Sequence, residues 1–187
     1  MKKMFIEKGH LMLKYIINQI AMSFFGLMMS STALAIGESW LLPFGIFGLL
    51  FYWFILISFI REDGLKDALK ADGGRIKADP LLSLKYCGIA AVPGFLIALT
   101  NMILHLVGAV GYTAENVRSI FNVITRILFY GMYNPIDTYL FNIDSAVFKS
   151  FGFISSSGIS YVVYTFFTLI VCFLAYNSGL KKMFIKK

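Results

Sequence analysis

Side chains able to do chemistry are sparse in this chain, and most stand inside apolar runs. Of two histidines, His10 lies near the amino terminus and His105 lies deep in an apolar run, one helical turn after Asn101. An imidazole base or a histidine metal site there needs carboxylate help. The apolar runs contain no Asp or Glu, so an enzyme acting on lipid with His105 as base lacks its partner. Gly73-Gly74-Arg75 has two glycines and a basic residue, but no strand precedes it and no Gly-Lys-Ser/Thr ending follows. A phosphate cradle is not expected there. Cys87 and Cys172 both fall in apolar runs and read as small core residues, not as a disulfide or metal pair. No catalytic residue, metal or cofactor is expected, and the chain is not expected to be an enzyme.

Composition explains where the remaining polar groups must sit. The 187 residues are 58% hydrophobic and 17% aromatic, with 14% charged. Soluble domains keep about a quarter of their residues charged. There is too little polar surface here to cover a globule in water, so the apolar excess faces lipid. The net charge of +7 does not point to nucleic acid, because the basic residues gather at the ends of the apolar runs, as membrane flanks do.

Four runs have the length of a spanning helix, about 20 residues: 11–36, 40–60, 86–110 and 159–176. The expected fold is therefore all-α, a single integral membrane domain over 1–187. The first run has a small-residue Ala33-Leu34-Ala35 ending that imitates signal cleavage. Its long basic flank and the polar Asn18-Gln19 interruption favour a retained span. The polar interval 61–85 reads as a cytoplasmic loop, with Asp63-Gly64 and Asp72-Gly73-Gly74 as turn signals and at most one or two surface turns over 65–71. Pro93 kinks the third span. Ala90, Gly94 and Ala98 recur every fourth residue, a stripe that admits a second backbone closely.

Residues 115–133 are different. At 100° per residue, Glu115, Arg118, Ser119, Asn122, Thr125 and Arg126 share one face, opposite Val117, Ile120, Phe121, Ile124, Ile127 and Leu128. An arginine at mid-bilayer costs about 2.5–3.5 kcal/mol on insertion scales. Two on one stripe argue for an amphipathic helix lying in the outer interface, ended by Asn134-Pro135. With both termini and 61–85 cytoplasmic, 14 of the 17 basic residues lie inside, and only Arg118, Arg126 and Lys149 lie outside. That count satisfies the positive-inside rule and excludes a fifth crossing at 115–133.

Depth sorts the polar groups. Asn18 lies about 6 Å beyond Lys14 and Asn101 about 24 Å beyond Lys85, at about 1.5 Å per residue. One midplane site shared by both spans is therefore not expected. Asn101, His105, Asn122 and Arg126 instead define an outer polar pocket, set against the plainer reading that they hydrogen-bond helix to helix.

Lys66-Asp67, Gly74-Arg75-Ile76, Asp79 before Leu84-Lys85, Ala90-Ala91-Val92-Pro93, Tyr133-Asn134-Pro135 and Ala175-Tyr176-Asn177-Ser178-Gly179 form a set of short motifs. In these residues the chain resembles a widespread group of small, uncharacterised bacterial multi-spanning membrane proteins. It implies a location in the bacterial plasma membrane and carries no activity. The expected partners are the bilayer, anionic lipid head groups at the basic inner face, and other membrane subunits or further copies. The leading expectation is an accessory or structural subunit of a transport or export assembly, motivated by the small-residue stripe. The alternative is a small permease or channel acting as a homo-oligomer.

Overall fold

A computed structural model describes residues 2–106, 112–142 and 159–184, and all of its regular structure is helical. Helix α1 (Lys2–Ile36) ends at Gly37, whose φ of 152° suits a residue without Cβ. A 3₁₀ turn (Glu38–Trp40) leads into α2 (Leu41–Asp72), and α3 (Leu82–Leu106) follows. Next come α4 (Tyr112–Thr125), a π-helical turn (Arg126–Tyr130), a 3₁₀ turn (Gly131–Tyr133), α5 (Asn134–Asn142) and α6 (Ile159–Phe184). Four of these helices are long and apolar enough to cross a membrane: Ile6–Ile36, Glu38–Asp72, Leu82–Leu104 and Ile159–Lys181. The chain is thus an all-α, multi-pass membrane protein.

Each long helix buries one stripe at the 3.6-residue period. On α3 the stripe runs through Ser83, Cys87, Ala90, Gly94, Ala98 and Asn101. On α1 it includes Lys8, Tyr15, Gln19, Ser23 and Ser30, while Leu13, Ile17, Phe24 and Met28 are exposed. The buried side is the more polar one, the inverse of a water-soluble helix and the order expected of a helix standing in lipid.

Two expectations change. The interval 61–85 is not a loop throughout, because α2 stays helical to Asp72, twelve residues past the apolar run. Its buried stripe of Tyr52, Leu56 and Ile60 continues without a break through Asp63, Gly64, Asp67 and Ala68. Gly64 is therefore no turn residue. A Cβ there would strike the backbone carbonyl of Tyr176, so glycine is what lets α6 approach. The second change concerns 115–133, which is α-helical only to Thr125 and then passes through the π and 3₁₀ turns. Val117, Ile120, Val123 and Ile124 are exposed, whereas Thr125, Phe129, Tyr130, Gly131, Met132 and Tyr133 are buried. Asn134-Pro135 opens α5, where a proline at the second helical position lacks only an N–H that has no intrahelical acceptor.

Contacts divide the chain into two compact units. The first comprises 1–18, 53–91 and 166–187; the second comprises 19–52 and 92–165.

Candidate functional site

The first unit contains a buried charge cluster built from three helices. Lys8 on α1 is 5% exposed and donates to Asp63 Oδ1 at 2.7 Å, Asp63 Oδ2 at 2.8 Å and Asp67 Oδ2 at 2.7 Å. The four-residue spacing of Asp63 and Asp67 puts both carboxyl groups on one face of α2. Tyr176 on α6 donates its hydroxyl to Asp67 Oδ2 at 2.8 Å. All three ammonium protons of Lys8 are used.

The cluster is uneven. One ammonium serves two carboxyl groups, and Asp67 Oδ1 is buried without a hydrogen bond. Lys70 Nζ stands 3.6 Å from it, an ion pair beyond hydrogen-bond distance. Burying charged groups costs several kcal/mol per ion, so such a cluster persists where it is sealed by packing or serves a ligand.

This one is not sealed. Lys8, Asp63 and Asp67 form part of the wall of an open cleft of about 460 Å³, within the size range of ligand sites. Glu7, His10, Lys14, Glu62, Lys66 and Lys70 stand around it, with Leu11, Phe59, Ile76 and Leu82 as its apolar wall. Lys66 is held to Glu62 at 2.7 Å in an exposed pair. Beyond α2, Lys85 grips Asp79 at 2.6 Å, and its hydrogen bond holds that carboxyl below the usual range. Close helix packing fixes this frame, since Gly179 on α6 lies against the backbone of Arg61 and Leu65, as Gly64 does against Tyr176.

None of these residues stood among the expected site residues. The available signal was Asp63 and Asp67 at helical spacing in phase with the apolar stripe of α2. The partner Lys8 lies 55 residues away in sequence, and no local pattern connects them.

The expected outer-pocket residues all belong to the second unit. Asn122 and Arg126 are brought together by Tyr161, whose hydroxyl accepts from Arg126 Nε at 2.8 Å and donates to Asn122 Oδ1 at 3.1 Å. Asn101 is buried, and its amide makes no hydrogen bond among the described residues, so nothing links it to that pair. The side chain of His105 lies outside the described residues. The second unit also holds a buried carboxyl group that the sequence did not indicate. Asp137 on α5 is buried and accepts the Tyr164 hydroxyl at 2.5 Å. Burial pushes its carboxyl up to about 6, against the opposing pull of that hydrogen bond and of Arg126. Tyr133 stacks on Tyr164 at 4.0 Å and Tyr130 on Tyr161 at 4.9 Å.

The helix-packing stripe is covered within the chain. Ala90 and Ala98 are buried, and a Cβ on Gly94 would press on the Phe129 ring. Both cysteines are free and buried. Comparison with protein families, with curated proteins and with solved structures finds no match to this chain.

Proposed function

We propose that the protein is a small permease-type component of the bacterial plasma membrane, acting as a homo-oligomer, that takes a polar solute or head group at the cleft of its first unit. The observation that carries this reading is the buried Lys8–Asp63–Asp67 cluster that forms part of a cleft wall, with one carboxylate oxygen left without a hydrogen bond. Ionisable groups buried on membrane-length helices are costly and mark ligand and ion pathways. The basic residues at both termini and around 61–85 support a cytoplasmic side for that end of the helices, the side the positive-inside rule favours.

The accessory-subunit reading took its motive from Ala90, Gly94 and Ala98. That stripe is used inside the chain, so a partner subunit would have to dock on another surface.

Thiol labelling tests the proposal. In a Cys87→Ala/Cys172→Ala background, single cysteines are placed at Phe59 and Leu82 on the cleft and at Phe54, which is exposed on α2. A membrane-impermeant thiol reagent is expected to label Phe59→Cys and Leu82→Cys in inverted vesicles, but not in right-side-out ones. Phe54→Cys is expected to stay unlabelled in both. Cleft positions that resist labelling in both vesicle types would remove the reading.

A further inference from the structure

Resting on that permease-type reading, we propose that the ligand is an ammonium–phosphate zwitterion of the phosphoethanolamine class, free or as a lipid head group. The argument starts at Asp67. Its Oδ2 is satisfied by Lys8 and Tyr176, whereas the buried Oδ1 has no hydrogen bond and faces the Lys70 ammonium at 3.6 Å. A buried carboxylate oxygen without a hydrogen bond calls for an N–H donor within hydrogen-bond distance, and a positively charged donor makes the stronger bond.

A bare cation does not fit the rest of the cleft. Lys14, Lys66 and Lys70 stand around it, and the side chains of Lys66 and Lys70 are more than half exposed. They repel a lone cation and attract an anion, and lysine is a point-charge binder of phosphate. A lone anion fails for the opposite reason, because Glu7, Glu62, Asp63 and Asp67 face the same space. A ligand with both charges meets both sets, its ammonium inward on Asp67 and its phosphate outward on the lysines. The nitrogen must carry hydrogens, so a trimethylated ammonium does not satisfy Asp67 Oδ1. Leu11, Phe59 and Leu82 offer an apolar wall to whatever the phosphate is esterified with.

The test uses the full chain in detergent and four probes: dihexanoyl phosphatidylethanolamine, dihexanoyl phosphatidylcholine, O-phosphoethanolamine and inorganic phosphate. Binding is read by calorimetry and by thermal shift. At least one of the two ethanolamine probes is expected to bind at least tenfold more tightly than both phosphatidylcholine and phosphate. Binding of the lipid alone identifies a head group as the source; comparable binding of O-phosphoethanolamine identifies a free solute. Asp67→Asn is expected to lose at least tenfold in affinity for the ethanolamine probe. Lys14→Gln/Lys66→Gln changes only side chains on the cleft rim and keeps the charge cluster, so it tests the anion side if Asp67→Asn does not fold. It is expected to weaken the ethanolamine probe severalfold. Equal affinity for the ethanolamine and choline lipids, no binding of either ethanolamine probe, or unchanged affinity in the lysine variant would each overturn the ligand assignment. A cleft that labels with thiol reagents yet binds neither ethanolamine probe sinks only the ligand class; an unlabelled cleft sinks the permease-type reading itself.

Discussion

The two units solve the same problem, polar groups buried in a chain dressed for lipid, by different chemistry. In the first, formal charges meet directly: an ammonium sits against two carboxyl groups, and one tyrosine supplements them. In the second, charged side chains meet hydroxyl groups instead of each other. Tyr161 bridges Arg126 and Asn122, Tyr164 serves Asp137, and Tyr130 pairs with Thr165 at 2.6 Å. Direct pairing is strong but unforgiving, because removal of one partner strands a charge. Hydroxyl bridging spreads the field over groups that both donate and accept, so a single loss is softer. The first arrangement suits a site that must hold a carboxylate oxygen ready for a ligand. The second suits a frame for the irregular turns after Thr125.

The largest test of this contrast is Lys8→Ala. It leaves Asp63 and Asp67 facing each other in a buried site, and stability is expected to fall by about 3–5 kcal/mol, read as a lower Tm in mild detergent. Adding Asp63→Asn/Asp67→Asn should restore most of the loss; if it does not, packing and not charge holds the first unit. Next comes pH. The carboxyl of Asp137 is raised to about 6 in the fold, above its ordinary value of 3.8. The folded state therefore binds its proton more tightly than the unfolded state, and stability falls as pH rises between those values and levels off above about 6. The span amounts to about 3 kcal/mol, at 1.36 kcal/mol per unit. Asp137→Asn should flatten that slope in a melting series from pH 4 to 8 and cost little at pH 8.

Smaller effects sharpen the comparison. Gly64→Ala in the first unit and Gly131→Ala in the second each force a Cβ into a neighbouring backbone, of Tyr176 and of Ser23 respectively. Each should cost about 1–3 kcal/mol in melting experiments, the usual range for overpacking. Tyr161→Phe should cost about 1–2 kcal/mol, less than Lys8→Ala, because Arg126 keeps part of its surroundings. A larger loss than for Lys8→Ala would reverse the contrast. Lys66→Gln breaks an exposed pair with Glu62 and should leave Tm unchanged.

Helical class and the number of membrane-length helices were legible from the chain because both follow from local chemistry. Apolar runs of sufficient length must satisfy their own backbone groups in lipid, and a helix does so without help from elsewhere. The face on which α4 carries Asn122 and Thr125, continued by Arg126 in the next turn, was legible for the same reason. What those faces meet was not. Asp63-Gly64 has the composition of a turn, and only the approach of α6 makes that glycine a packing residue. Lys8 reads as one more basic flank residue until Asp63 and Asp67 are found against it. Residue types and their periodicity determined that the four apolar runs are helical and that the helix from Tyr112 to Thr125 has one polar side. Tertiary structure alone decided that the polar ends of α1 and α2 join with Tyr176 in a buried cluster, since an ion pair across 55 residues and a hydrogen bond across 109 depend on where helices cross.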